Sequence, residues 1–349
     1  MKKKTLFIIC ILPAAFLFSC AGSPQSRQQP PLWVTDTEKA YPDRDWLVVV
    51  EAEQDAKLAE NAAVTRLAQV FRVDLVSVTN ANRQFAESIN SVKGKKQLVS
   101  SQSSELAQEL LSTSVVSGLI GLQLESWPNP NGRSYANARM NRKECSARYS
   151  AMIRENEKVI SSLMEEAERN PRTFEAFQML NLAFSFANVT DNFHNLLTVL
   201  DPSAISRRPS YGNAGTVKTL VQSAARSIAV TVKVNGDNGG RIEKAFTECL
   251  NSRGFRTNAS GDNPYVLAAS FQLEGVDLEN NNNNKFVRYI LNYSLKDRGG
   301  TDFISSSDNG RQGHLNESEA RQRAIRAAEQ SIVSDGFAVN FDAFLASLL

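Results

Sequence analysis

A regular alternation of apolar and polar side chains marks the stretch Val287–Leu295, which reads VRYILNYSL. Every second residue is apolar, which is the pattern of a strand that buries one of its faces. The same period recurs at Leu267–Leu273 and at Ile228–Val234. The five asparagines Asn280–Asn284 tolerate positive φ and suit the tip of a long hairpin. We therefore predict a sheet built from these strands.

Helices are predicted around these strands. Apolar residues spaced by three and four form one helical face at Ile242–Leu250, and Gly254 follows in the position of a left-handed cap. Asn316 makes a capping-box-like helix start, and Phe337–Leu348 is a final amphipathic helix. This order of elements, which is strand, helix, strand, hairpin and helix, predicts a C-terminal α+β domain over residues 216–349.

The first part of the chain predicts another α+β module, over residues 33–145. Trp46–Val50 is a β-rich run, and the acidic Asp43-Arg44-Asp45 before it is interpreted as a turn. Small residues at helical spacing over Ala56–Val70 predict a helix packed closely on a sheet. We predict further a strand at Phe71–Leu75, a helix at Ala81–Ile89, and an antiparallel pair formed by residues 115–124 and 134–140.

Between the modules, residues 146–202 have apolar stripes of helical period, interrupted at Asn170-Pro171 and ended by Asp201-Pro202. Residues 203–215 have the composition of a linker. The predicted fold class is α+β, with two α+β modules of strand-helix-strand-hairpin layout joined by an all-helical middle segment. We expect this segment to hold the modules apart.

The N-terminus predicts export. Lys2–Lys4 precede the apolar stretch Leu6–Phe18, which is 13 residues long, whereas a membrane-spanning helix needs about 20. Residues 1–19 therefore match a signal peptide. Leu17, Phe18, Ser19 and Cys20 resemble the lipobox of bacterial lipoproteins, which implies cleavage before Cys20 and lipid on its thiol. The alternative is a secreted protein whose signal happens to end in cysteine.

The residues after Cys20 favour the lipoprotein interpretation. Residues 20–32 are rich in Ser, Gln and Pro, as expected of a flexible tether. Ala21, which is not an aspartate, resembles the outer-membrane sorting pattern of lipoproteins. We expect a lipid anchor in the outer membrane, facing the periplasm.

Net charge and cysteine content restrict further the kinds of protein to which this chain can belong. Cleavage would leave 330 residues with 36 Lys and Arg against 37 Asp and Glu, a net charge of −1. A nearly neutral body argues against nucleic acid as a partner. Beyond Cys20 only Cys145 and Cys249 remain, too few for a disulfide scaffold. They could form one bridge or be two buried thiols.

The first module resembles a known family. The resemblance rests on Pro31-Leu32-Trp33-Val34, on the alanine-rich helix, and on the hairpin from Trp127 to Met140 with its Gly132-Arg133-Ser134-Tyr135 start. Together these look like the Lpp-twenty lipoprotein family, whose module also forms the N-terminal part of flagellar assembly protein T. The chain departs from it at Glu51-Ala52, where members commonly carry glycine. The layout of the C-terminal domain is similar to the envelope domains of LpoB, CsgG and the TolB N-terminus, as an analogy only.

No catalytic motif stands out. The two histidines, His194 and His314, lack partners at the spacing of a zinc site, His314 being expected in a loop. The stretch Gly212–Thr219 has the wrong spacing for a phosphate loop and is interpreted as linker. We therefore expect no enzyme activity, no metal and no cofactor. A cell-wall hydrolase with an unrecognised carboxylate pair remains the alternative.

The sequence thus predicts a lipid-anchored interaction or scaffold protein of the cell envelope, with envelope proteins as partners. The resemblances allow two narrower roles, an activator of a peptidoglycan synthase or a component of a flagellar or other envelope machine. A third possibility is a surface lipoprotein that binds a ligand, for which the regions of Trp46 and Trp127 are the aromatic candidates.

Overall fold

The computed structural model describes residues 29–72, 75–91, 101–112, 119–129, 132–203, 209–258, 263–277 and 284–348. The fold is α+β, as predicted. The signal peptide, Cys20 and most of the tether lie outside the described residues, and so does most of the asparagine run.

The first module is a three-stranded antiparallel sheet covered by helices. Its elements are α1 (Leu32–Thr35), α2 (Thr37–Ala40), β1 (Trp46–Glu53), α3 (Ala56–Phe71), α4 (Leu75–Ser91), α5 (Ser101–Ser112), β2 (Gln123–Trp127) and β3 (Ser134–Asn141). The strand order is β1-β3-β2, with both pairs antiparallel. Asp55 caps α3 by accepting from Leu58 N, and α3 buries its alanine face on the sheet.

Two predictions for this module need correction. The strand predicted at Phe71–Leu75 is wrong, because Phe71 ends α3, Arg72 adopts φ 54°, and α4 begins at Leu75. Three alternating residues are outweighed by the helical spacing of Val78, Phe85 and Ile89, whose burial stabilises a helix. The first strand of the predicted pair is also shorter than predicted. Residues 115–118 of that prediction lie outside the described residues, residues 119–122 are not in a strand, and β2 begins at Gln123. Glu51 and Ala52 lie within β1 and not in a turn after it.

Two long helices follow, as predicted. They are α6 (Arg142–Arg169) and α7 (Phe174–Leu200), separated at Asn170-Pro171, where Arg172 takes φ 69°. Their inner faces share one core with α3, α4 and β3. The N-terminal end of α7 instead contributes Phe174 and Phe177 to the core of the C-terminal domain. The expectation that this segment holds the modules apart is wrong, because α7 packs into both cores.

The segment that begins at Pro209 returns to these helices. Tyr211 and the N–H of Ala214 both donate to Asp191, at 3.3 and 2.8 Å. The interpretation of Gly212–Thr219 as linker is wrong, because α8 (Ala214–Ser227) begins there, with Asn213 as its cap.

The C-terminal domain is a five-stranded sheet of order β5-β4-β6-β7-β8. Its elements are β4 (Ala229–Asn235), α9 (Arg241–Ser252), β5 (Arg256–Asn258), β6 (Tyr265–Val276), β7 (Lys285–Asp297), β8 (Asp302–His314), α10 (Glu317–Gln330) and α11 (Phe337–Ser347). The strand β4 is parallel to both neighbours, and β6-β7-β8 is an antiparallel meander.

Most of the predicted elements of this domain are confirmed, with one correction. His314 was expected in a loop but is the last residue of β8. Its Nδ1 accepts from the N–H of Asn316, whose side chain caps α10. The serines and Asp308-Asn309 of β8 are poor strand formers, so hydrogen bonding along β7 determines this strand.

Candidate functional site

The clearest concentration of aromatic and polar side chains lies on the face of the first sheet that points away from α3. We call this surface the outer face. Alternation along β3 buries Ala136, Ala138 and Met140 in the core and turns the residues between them to the other side. Three neighbouring columns form the outer face: Trp46, Val48, Val50 and Ala52 from β1; Tyr135, Asn137 and Arg139 from β3; Gln123, Glu125 and Trp127 from β2.

Glu125 is the centre of a hydrogen-bonded cluster on this face. Trp33 Nε1 donates to Glu125 Oε1 at 2.9 Å, and Arg139 Nη1 donates to Glu125 Oε2 at 2.7 Å. Tyr41 reaches the same Oε2 at 3.4 Å, and the Arg139 guanidinium lies 4.8 Å from the centre of the Tyr41 ring. Trp33 is only 4% exposed. The helix α1 is thereby held against the outer face.

Aromatic pairs lie at the two ends of the face. Tyr41 and Trp46 form an edge-on pair with ring centres 5.4 Å apart, and Trp127 and Tyr135 form a tilted pair at 5.9 Å. Trp46 is opposite Asn141 on β3 and Trp127 is opposite Tyr135. Six residues of strand separate these positions, about 20 Å. The structure thus brings both tryptophan candidates to one surface.

The electrostatics of the cluster keep Glu125 ionised and Tyr41 protonated. Burial alone would raise the pKa of Glu125, but hydrogen bonds from Trp33 and Arg139 outweigh it and lower the pKa below its usual value. Burial, opposed by Arg139 and reinforced by Glu125, raises the pKa of Tyr41. At neutral pH the carboxylate is therefore charged with both oxygens engaged, and the phenol keeps its proton.

The other sequence candidates are not brought together. His194 Nε2 lies 3.9 Å from Glu157 on α6, whereas His314 lies in the other module. Cys145 and Cys249 are free, buried thiols in separate cores. In the part of the chain that the structure describes, no three His, Cys, Asp or Glu residues are placed to hold a metal ion. The lipobox Leu17, Phe18, Ser19 and Cys20 lies outside the described residues.

Sequence reasoning missed the roles of Glu125 and Arg139. A signal was present, because polar and aromatic residues alternate along β2 and β3 at the positions that face away from the alanines. The pairing of Trp33 with Glu125 joins residues 92 positions apart and has no local signal. Only the register of the sheet reveals it.

No described helix combines the length and the apolar character that crossing a bilayer requires.

Comparison with known proteins identifies no family for this chain. No family model matches, and no curated protein matches. Among solved structures, a minor lipoprotein from Acinetobacter baumannii is similar to 32% of this chain over 94% of its own length, with 15% identity and a TM-score of 0.28. A secreted protein of Helicobacter pylori is similar to 83% of this chain over 99% of its own, with 12% identity and a TM-score of 0.36.

Proposed function

We propose that this chain is a lipid-anchored lipoprotein of the cell envelope that binds other envelope proteins and catalyses no reaction itself. The observation that carries the proposal is the order of signals at the N-terminus: basic residues, a short apolar stretch, a small residue, Cys20 and a polar tether. Lipid on Cys20 would hold the body at a membrane. Ala21 at the following position supports the outer membrane.

The position of Trp33 supports a surface role for the outer face. Trp33 is buried and follows Cys20 by 13 residues in the sequence. A flexible tether of that length spans about 20 Å on average. The outer face, to which Trp33 is fastened, would then be the part of the body near the membrane surface and near partners anchored there.

The chemistry of the outer face also supports binding. Aromatic side chains and arginine are enriched where proteins bind one another. Trp46, Trp127 and Tyr135 are partly exposed, and Arg139 lies between them. Glu125 has both oxygens engaged and a lowered pKa, so it is a poor general acid.

Metabolic labelling with palmitate tests the anchor. Wild-type protein is expected to carry label, and the Cys20→Ala variant is expected to carry none. Cys10→Ala is the matched control, because it removes the other cysteine of the N-terminal region and should leave labelling intact. Label that persists in Cys20→Ala would refute the anchor.

Crosslinking in cells followed by pull-down tests the partner. Recovery of a peptidoglycan synthase would support the activator role, and recovery of flagellar or other machine components would support the second role. Trp127→Ala is expected to reduce the crosslink at least several-fold, whereas Phe286→Ala, on the other sheet, should not. Turnover of purified sacculi by the protein would instead support the hydrolase alternative.

A further inference from the structure

A polar cleft of about 340 Å³ separates α4 from part of α7, with Ala346 of α11 at its rim. Each helix presents polar residues at spacings of three and four, which place them on one face. The α4 face carries Gln84, Glu87 and Ser88, and the α7 face carries Gln178, Asn181 and Ser185. The helices meet where Ser88 Oγ and Ser185 Oγ are 3.0 Å apart. Beyond that contact the two polar faces line the cleft, which is open to solvent on one side.

The amides of the cleft retain hydrogen-bonding capacity. Asn181 Nδ2 donates to Gln178 Oε1 at 3.3 Å, which leaves Asn181 Oδ1 as an acceptor and Gln178 Nε2 as a donor. Gln84 is exposed at the other wall. Side-chain amides present donors and acceptors together, so the cleft can satisfy a ligand that has both.

The charged and apolar residues that line the cleft restrict the kind of ligand that it can bind. Glu87 is the one charged side chain among the described lining residues, and no lysine or arginine accompanies it. Among the described lining residues, a phosphate or carboxylate ligand would find no cation to pair with. Phe184 is partly exposed and contributes apolar surface to the cleft, whereas Leu182 behind it is almost fully buried. The ring face carries negative charge density that attracts C–H groups.

We infer that this cleft binds a neutral saccharide. A sugar ring has hydroxyls that donate and accept, which match Asn181, Gln178 and Gln84, and it has a C–H face, which matches Phe184. Clefts between modules are common binding sites, and here α4, α7 and α11 all contribute. The inference concerns the folded body and holds whether or not Cys20 carries lipid.

Saturation-transfer NMR on the full mature chain tests the inference with two neutral probes. One is the trimer of N-acetylglucosamine and the other is maltotriose, so that the arms distinguish an N-acetylated glycan from a plain glucan. Transfer to the C–H protons of at least one probe is expected. Absence of transfer to both overturns the inference, and so does tighter binding of glucose 6-phosphate than of either neutral probe.

Variants show whether the cleft is the site. Asn181→Ala and the exposed Gln84→Ala should each weaken binding by about five- to tenfold, the effect of one lost hydrogen bond. Phe184→Leu should weaken it too, because it keeps apolar volume and removes the ring. Asn195→Ala is the matched control, an exposed asparagine on the same helix outside the cleft. Unchanged affinity in Gln84→Ala, Asn181→Ala and Phe184→Leu would overturn the inference.

Discussion

The indole N–H of Trp33 donates to Glu125 Oε1 at 2.9 Å, so a strand 92 residues later holds the first helix of the folded body. Glu125 in turn pairs with Arg139, which lies 4.8 Å from the centre of the Tyr41 ring. The segment from Trp33 to Tyr41 therefore has a fixed place on the outer face.

Trp33→Phe is expected to lower the free energy of unfolding by more than about 1 kcal/mol, because it removes the hydrogen bond to a partly exposed carboxylate and leaves part of the buried indole volume unfilled. Denaturant unfolding measures the change. Trp127→Phe makes the same substitution at a ring whose indole N–H has no hydrogen bond among the described residues, and it should change stability less. Equal losses in the two variants would contradict the role of the Trp33 bond.

Glu125 should make stability depend on acid pH. Its pKa is lower in the folded chain than the usual value of 4.5, so the folded state binds fewer protons than the unfolded state around that pH. Its stabilising contribution is present above about pH 4.5 and is lost as the pH falls through the lower, folded value. Glu125→Gln should be less stable than wild type at neutral pH, and the difference should shrink on acidification. A difference that is constant with pH would contradict this.

Phe174 should anchor the N-terminal end of α7 in the core of the C-terminal domain. Its ring lies within 5.6 Å of the rings of Phe255, Tyr265, Phe341 and Phe344, and it is 1% exposed. Phe174→Ala should cost about 3–5 kcal/mol and increase hydrogen exchange mainly in β6 and α11. Phe193→Ala, on the same helix but within the first core, should increase exchange mainly in α4 and α6. The same exchange pattern in both variants would argue against separate cores.

The two remaining thiols should be free and protected. Burial raises the pKa of both Cys145 and Cys249, and a thiol reacts as its thiolate. In the chain from Ala21 onward, a thiol reagent at pH 8 should react slowly in the native state and modify two cysteines after denaturation without reductant. Modification of none under those conditions would indicate a disulfide.

Gly236 should not tolerate a side chain. It has φ 83°, and a Cβ there would lie 2.1 Å from the carbonyl oxygen of Phe271. Gly236→Ala should therefore cost clearly more than the roughly 1–2 kcal/mol of left-handed strain alone. Gly240→Ala, at φ 65° with nothing within 4 Å, should show that strain alone. Thermal unfolding measures the loss of stability in each variant, and equal losses would contradict the clash at Gly236.

Periodicity predicted the elements whose burial is strongly one-sided. The strands at Ile228–Val234, Leu267–Leu273 and Val287–Leu295 are found, as are the long helices of residues 146–202. It failed at Phe71–Leu75, where the alternation was too short to distinguish a strand from a helix, and at β8, which has few apolar residues. Both failures have the same physical cause. Side-chain packing and hydrogen bonding between strands outweigh a weak local preference for helix or strand.

The sequence by itself determined the fold class and most of the element order, and it carries the whole case for the lipid anchor on Cys20. These conclusions rest on local patterns, which are the alternation of apolar and polar residues, helical spacing, and the short run of residue types that ends at Cys20. The tertiary structure decided that α7 joins two cores, that Trp33 binds Glu125, and that amides of α4 and α7 face one cleft. Such contacts join distant residues, and they depend on strand register and helix packing, which no local pattern specifies.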